Sequence, residues 1–385
     1  ENPSYAIIDI TLQSEVPKNI IVLKQPIKEP NRFFSLFGSS KKKVSAGFLD
    51  PKPSLLGKIA QYIRANYFIP DARKFWIKPS VKYLLDYLSK EKIDVIITTG
   101  PPHSLHLIGL QLKKKTGIKW IADFRDPWTD IDYFHQLPLS EKANHKHHRL
   151  ENEVVSSADQ VIVVGKAMKN KFLKFNERIE VITNGYDDIL QNTVQPLDSE
   201  FSFVHVGMMN ADRNPWVFWE VLSELVNEND SFANDLKIKL IGKLADQVLK
   251  SIADYKLAPY VEIINYLPHE DVVRFQKCAQ VLLLAVNKVP SAKGIITGKI
   301  FEYMQAKRPI LAIAPTDGDL AELIENTKTG KVVDFEDKES LKKTILEMYS
   351  AYKNKALLVD SKNIEQFHRR NLTHQLVQII KKIDS

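Results

Sequence analysis

Thr297-Gly298-Lys299-Ile300-Phe301-Glu302-Tyr303-Met304-Gln305-Ala306-Lys307-Arg308-Pro309-Ile310-Leu311 reads as a loop, a helix and then a strand. Lys299 and Glu302 are three apart and share one helical face, while Ile300 and Met304 lie on the opposite, apolar one. The start of a helix presents backbone N–H groups and the positive end of its dipole, and Lys299 adds an ammonium, so the segment suits a diphosphate. Glu302, one turn in, is placed to accept hydrogen bonds from ribose hydroxyls. The plain alternative is an amphipathic helix whose Lys and Glu are merely solvated.

Outward from this stretch, short β-branched runs alternate with longer segments of helical period, the pattern of parallel sheets wrapped by helices. Strands are expected at 94–98, 120–124, 160–164 and 180–183, then at 203–207, 237–241, 261–264, 281–285 and 310–313. Between the two groups lies a stretch rich in Asp, Gln and Asn that holds Pro196. The expected architecture is α/β, with two doubly wound Rossmann-like domains facing across a cleft. The domains run 1–187 and 201–365, with a linker at 188–200 and a C-terminal helix over 366–385 that docks back through Leu372, Leu376, Ile379, Ile380 and Ile383. In open parallel sheets ligands sit beyond the carboxyl ends of the strands, which places the working site between the domains. The first ninety residues are less regular, and a first strand followed by a glycine-rich turn is expected to be missing from domain 1–187.

Composition narrows the function. With 44% apolar and 26% charged residues the chain is globular, and its 385 residues exceed one core. The lone Cys278 permits no internal disulfide and reads as a small packed thiol in a reducing compartment. Neither a secretory signal nor a run of about eighteen apolar residues occurs, so a cytoplasmic location is expected, at most peripheral to a membrane. Residues 1–120 hold 20 Lys and Arg against 9 Asp and Glu, whereas the remainder holds 34 against 38. That asymmetry suggests an anionic partner for the first part, although a single cluster such as Lys41, Lys42 and Lys43 is more simply a solvated surface. Nucleic acid is disfavoured because the basic surplus is not interleaved with stacking aromatics. Glycine-rich dinucleotide, P-loop and nucleophile-elbow motifs are all absent, against a nicotinamide dehydrogenase, a P-loop ATPase and a serine hydrolase.

Gly298-Lys299-Ile300-Phe301-Glu302-Tyr303 followed by Pro309-Ile310-Leu311 resembles the nucleotide-sugar-binding segment of retaining glycosyltransferases of the GT-B fold, the group 1 or family 4 class. The blocks 94–104 (Asp94-Val95-Ile96-Ile97-Thr98-Thr99-Gly100-Pro101-Pro102-His103-Ser104) and 120–128 (Trp120-Ile121-Ala122-Asp123-Phe124-Arg125-Asp126-Pro127-Trp128) look like acceptor-domain motifs of a bacterial branch of that class. Ile182-Thr183-Asn184-Gly185-Tyr186-Asp187 resembles the turn by which such chains leave their first domain. The resemblance, spanning roughly 55–385, implies a hexosyltransferase-like enzyme. It would move a sugar with retention from a nucleotide-sugar to a glycan or lipid-linked acceptor in surface polysaccharide synthesis. It implies no required metal, and no cofactor beyond the nucleotide-sugar substrate itself. Donor contacts then fall to Thr297, Gly298, Lys299 and Glu302, with Arg213 and Lys243, on loops after the first two strands of the second domain, neutralising the diphosphate. Many relatives carry a second glutamate eight positions before Glu302; here that position is Gly294, which leaves donor-sugar contacts to backbone groups of 294–298. A nucleotide-sugar epimerase of the same fold and a non-catalytic binding module are the alternatives.

On the acceptor side Arg125 cannot act as a base at neutral pH and is expected to position hydroxyls or phosphate, with Asp126 as candidate base or as a turn cap. Trp128 offers a flat surface for sugar stacking. His103, entered through Pro101 and Pro102, reads as a hydrogen-bond donor to phosphate or acceptor rather than as a metal ligand with His106. His145, His147 and His148 read as a solvated helix face. Ser54–Arg64 places Leu55, Leu56, Ile59 and Ile63 at helical spacing beside Lys58 and Arg64. Such a helix either packs on the sheet or meets an anionic membrane surface, which makes the inner membrane face a further candidate partner.

Overall fold

A computed structural model describes residues 16–27, 54–188 and 195–384. The Lys41–Lys43 cluster and residues 189–194 of the expected linker lie outside these. The chain divides into two compact units, one holding the described residues up to Val164 with Met168–Val181 and the chain from Gln378 on, the other Gly165–Ala167 and the described part of Ile182–Val377.

In the first unit β1 (Val95–Gly100), β2 (Lys119–Phe124), β3 (Gln160–Val163) and β4 (Ile179–Val181) form a parallel sheet in the order β1-β2-β3-β4. β3 is buried throughout and β2 nearly so, as expected where helices cover both faces. Register sets Gly100 opposite Phe124, and the Arg125 N–H donates to the Gly100 carbonyl at 2.9 Å. The Gly100-Pro101-Pro102-His103 turn and the Arg125-Asp126 turn therefore leave the sheet side by side. Trp120, Phe124, Val161, Val163 and Phe172 centre the core.

In the second unit six parallel strands take the order β10-β9-β8-β5-β6-β7, from β5 (Phe201–Val206), β6 (Leu236–Ile241), β7 (Val261–Ile264), β8 (Val281–Ala285), β9 (Ile310–Ile313) and β10 (Gly330–Val333). The chain runs outward from β5 to β7, then returns to β8 on the other side of β5 and continues to β10. The strand order therefore reverses between β5 and β8, and ligands of doubly wound sheets collect beyond the carboxyl ends at such a reversal. β5 is wholly buried: Phe201 and Phe203 join one core with Phe218, Trp219 and Leu222, while Val204 and Val206 join a second with Ile300, Phe301, Tyr303 and Met304. The Lys299–Ala306 helix thus buries the apolar face read from its sequence and leaves Lys299 and Glu302 half-buried.

The last helix, Arg369–Asp384, buries Leu372 and Ile379. It is entered at a parallel bridge between Tyr186 and His368, where the Arg369 N–H donates to the Tyr186 carbonyl at 2.9 Å. No helix among the described residues is long and apolar enough to cross a membrane.

Candidate active site

Two glycines directly follow β5 and β6. Gly207, directly after β5, has φ +100°, and Gly242, after β6, has φ +121°. Both angles belong to backbone that favours glycine. A Cβ at Gly207 would lie 2.6 Å from Lys299 Cε and 2.8 Å from its Nζ. Lys299 therefore lays its side chain across the Gly207 backbone, which only a residue without a side chain permits. Burial first, and the Arg213 guanidinium second, lower the Lys299 ammonium from 10.5 to about 7, against an opposing pull from Glu302. Among the described residues no carboxylate lies within ion-pair distance of its Nζ.

Arg213 sits in a single turn capped by Asn210, whose Oδ1 accepts the Arg213 N–H at 2.9 Å, and its Nη1 donates to the Met208 carbonyl at 3.1 Å. The same strand contributes His205, fully buried, whose Nδ1–H donates to the Leu283 carbonyl at 3.1 Å. Burial and the neighbouring Lys299 lower this imidazole to about 3, so it stays neutral behind the cations. The Tyr303 hydroxyl accepts the Val206 N–H at 3.0 Å and ties the helix to the end of β5. Glu302 is held from the preceding helix (His269–Cys278), where Gln276 Nε2 donates to its Oε2 at 3.2 Å.

A Cβ added at Gly298 would meet nothing within 4 Å, so the amino end of this helix is open. Its first N–H groups turn back locally, Lys299 to Thr297 Oγ1 at 3.3 Å, Ile300 to the Thr297 carbonyl at 3.2 Å and Phe301 to the Gly298 carbonyl at 3.3 Å. These local bonds engage helix amides that an anion at this end would otherwise use. Lys243 is exposed, and its link to the β5 loop is its backbone carbonyl, which accepts the Met209 N–H at 3.0 Å. The structure thus brings Lys299, Arg213 and Glu302 together electrostatically and leaves the Lys243 side chain in solvent.

In the first unit Arg125 Nη1 lies 3.3 Å from Asp123 Oδ1. Burial raises the Asp123 carboxyl, with Arg125 opposing. Asp126 has protein around much of it, yet its side chain still reaches solvent; that partial burial and the Asp132 charge raise its carboxyl, again against Arg125. His103 stands at the N-cap position of the Ser104–Thr116 helix, without a capping side-chain bond, and stacks on Trp128 with ring centroids 4.9 Å apart and planes 5° from parallel. Trp128 is only 2% exposed and its Nε1–H donates to His147 Nδ1 at 3.0 Å, so it is a packed wall and not a free stacking surface. His147 is correspondingly buried and lowered to about 4 by burial, unlike the exposed His145. His106 is fully buried with Nδ1 2.9 Å from Thr98 Oγ1.

A family model described as Glycosyltransferase Family 4 matches residues 47–189, and one described as Glycosyl transferases group 1 matches residues 200–351. The chain belongs to the group 1 glycosyltransferases of the GT-B fold. Solved structures of the same fold include sucrose-phosphate synthase from Thermosynechococcus elongatus, at 17% identity and TM-score 0.59, covering 80% of this chain and 78% of that one. The lipopolysaccharide outer core galactosyltransferase WaaB is similar at 14% identity and TM-score 0.54, covering 80% of both chains. The pneumococcal O-GlcNAc transferase GtfA, solved with UDP and GlcNAc, is similar at 13% identity and TM-score 0.51, covering 79% of this chain and 59% of that one. No curated protein matches.

In this glycosyltransferase the candidate site residues read from sequence fall into two groups, Lys299, Arg213, Lys243, Glu302, Thr297 and Gly298 on the second unit, and His103, Arg125 and Asp126 on the first. Sequence reasoning passed over Gly207, His205, Gln276 and Tyr303. Of these only Gly207 leaves a signal, a glycine directly after a buried strand.

Proposed function

We propose that the chain transfers a glycosyl group, with retention, from a nucleotide-sugar to a glycan or lipid-linked acceptor in surface polysaccharide synthesis. The observation that carries this is the mostly buried Lys299 ammonium, unpaired by any described carboxylate and set beside Arg213 where the strand order reverses. Two adjacent cations favour an anion, and a diphosphate is the group a sugar nucleotide presents.

In this reading Lys299 and Arg213 stabilise the charge that develops on the leaving diphosphate, and Glu302, oriented by Gln276, accepts hydrogen bonds from the ribose. The open end at Gly298 leaves room for the phosphates, with Thr297 beside it. Lys243 adds a long, exposed side chain that the ligand draws in from solvent. On the first unit Arg125 orients the acceptor, Asp126 takes its proton, and His103 holds a hydroxyl. The raised carboxyl of Asp126 supports its role as base, because a base works best when its pKa approaches the operating pH. Membrane contact is supported by the Leu55–Tyr67 helix, where Leu55 is 76%, Leu56 60% and Ile59 49% exposed beside exposed Lys58 and Arg64.

The test is a melting-temperature screen of nucleoside diphosphates and their sugars. A ligand at a hundred times its Kd adds about 2.7 kcal/mol of stability, so a specific donor raises Tm and its match releases nucleoside diphosphate in the presence of acceptor. A folded chain that responds to none of them refutes the reading.

A further inference from the structure

The first unit contains a pocket of ≈ 390 Å³ whose lining includes neither Arg125 nor Asp126. The volume lies within the range of about 300–1,000 Å³ usual for small-molecule sites. Pro70, Pro101, Pro102, Ile131, Phe134 and Leu137 supply apolar walls. Tyr133 adds a hydroxyl to this lining, while most of its other polar groups are engaged within the protein. Both Asp71 oxygens are occupied, Oδ2 by the Ser104 N–H and Oδ1 by the Arg73 N–H, each at 2.8 Å, and the Arg73 charge faces that same carboxylate. His147 accepts from Trp128 at Nδ1 and gives its remaining N–H to the Ala65 carbonyl.

His103 is different. It is 7% exposed, its imidazole bonds the Pro127 carbonyl, and its Nδ1 has no hydrogen-bond partner among the described residues. Burial lowers it to about 3, so the ring is neutral and carries one proton. That proton is the one given to Pro127 from Nε2, which leaves a lone pair on the buried Nδ1 of a residue that lines the pocket. A buried acceptor of this kind is costly until it receives a donor. An ionised phosphate has no proton to give it and would meet a neutral imidazole, while a hydroxyl satisfies it. Phe134, half-buried in the same lining, suits the apolar face of a pyranose.

We propose that this pocket binds one uncharged sugar ring of the acceptor, with a ring hydroxyl donating to His103 Nδ1. The proposal rests on the acceptor reading given above and assigns that acceptor a neutral, hydroxylated unit at this place.

The experiment is saturation-transfer NMR on the full chain with methyl α-glucoside, methyl α-galactoside and methyl N-acetylglucosaminide as probes, glucose 6-phosphate as the charged comparison, and calorimetric titration of a nucleoside diphosphate alongside. At least one neutral glycoside is expected to bind, with glucose 6-phosphate at least tenfold weaker. Leu137→Trp, which fills the pocket, abolishes glycoside binding and leaves nucleoside diphosphate binding unchanged. His103→Leu weakens it about tenfold, the weight of one hydrogen bond, and His103→Gln, which keeps a donor and an acceptor, restores most of it. If a folded Leu137→Trp cannot be obtained, the His103 pair decides alone. Glycoside binding indifferent to these changes, preference for the phosphate, or no glycoside binding by a chain that still binds nucleoside diphosphate overturns the pocket assignment and leaves the donor reading standing. Loss of nucleoside diphosphate binding in the unaltered chain refutes the donor reading instead.

Discussion

Lys299→Met removes the ammonium while keeping most of the side-chain stem over Gly207, and its consequences depend on pH in a way that a surface lysine would not show. The folded chain lowers Lys299 from 10.5 to about 7. Between those values the unfolded chain holds a proton that the folded chain has released. The contribution of this group to stability therefore rises with pH from 7 to about 10.5 and is least favourable below 7. A bound diphosphate reverses the preference, because it stabilises the charged form and draws the proton back on. Affinity for a nucleoside diphosphate is then expected to fall by up to tenfold per pH unit above 7. The range 7.5–9.5 separates this from the ligand's own ionisation near pH 6, and His205, lowered to about 3, does not titrate in it. A charge-assisted contact is worth about 1.5–3 kcal/mol, so Lys299→Met should raise Kd about 10- to 150-fold at pH 7.5. Two units higher the unaltered chain has lost most of that advantage, and the two Kd values should converge. The assay is calorimetric titration at several pH values, with urea unfolding of both unliganded chains as the companion. Parallel pH profiles for the two chains, or a variant less stable than the parent below pH 7, would refute the argument.

Gly207→Ala combines an unfavourable φ with a Cβ driven against Lys299, and is expected to cost about 1–3 kcal/mol in urea unfolding together with most of the nucleotide affinity. Glu151 is fully buried and accepts from the Thr129 N–H at 3.0 Å, the Thr129 hydroxyl at 2.7 Å and Lys171 at 3.0 Å, thereby holding the turn that carries Asp126. Glu151→Ala should cost about 3 kcal/mol, the low end for a broken buried pair because Lys171 keeps Asp130, and unfolding in denaturant measures it. His103 and His147 are lowered to about 3 and about 4, so the unfolded chain binds more protons as pH falls below 6.5. Stability should drop by up to about 1.4 kcal/mol per pH unit for each, and His147→Gln should flatten the curve measured by thermal unfolding between pH 6.5 and 4.5. Leu55→Glu with Ile59→Glu should abolish co-sedimentation with anionic vesicles and leave binding of nucleoside diphosphate intact.

Much of the fold is legible because β-branched runs buried on both faces carry their own signal, as in Val281–Ala285 and Ile310–Ile313, whose expected and observed limits coincide. β10 escapes because Gly330-Lys331-Val332-Val333 is a short edge strand with only two β-branched residues. The site is legible where chemistry and position agree in one segment, as with Lys299 and Glu302 on one turn. It is hidden where the meaning of a residue depends on a distant partner. His147 looks solvated among His145 and His148 until Trp128, nineteen residues earlier, is seen to donate to it. Trp128 looks like an exposed platform until His103 covers it. Gln276 carries no motif at all, and its role exists only because two successive helices, with β8 between them, bring it against Glu302.

The central claim, that a diphosphate is held by Lys299 and Arg213 beside Gly207, is tested most directly by a crystal structure of the full chain with a nucleoside diphosphate bound. The account predicts phosphate oxygens about 2.7–2.9 Å from Lys299 Nζ and from the Arg213 guanidinium, with the ribose against Glu302. A nucleotide seated elsewhere on the chain, with Lys299 still folded over Gly207 and touching no phosphate, would contradict it.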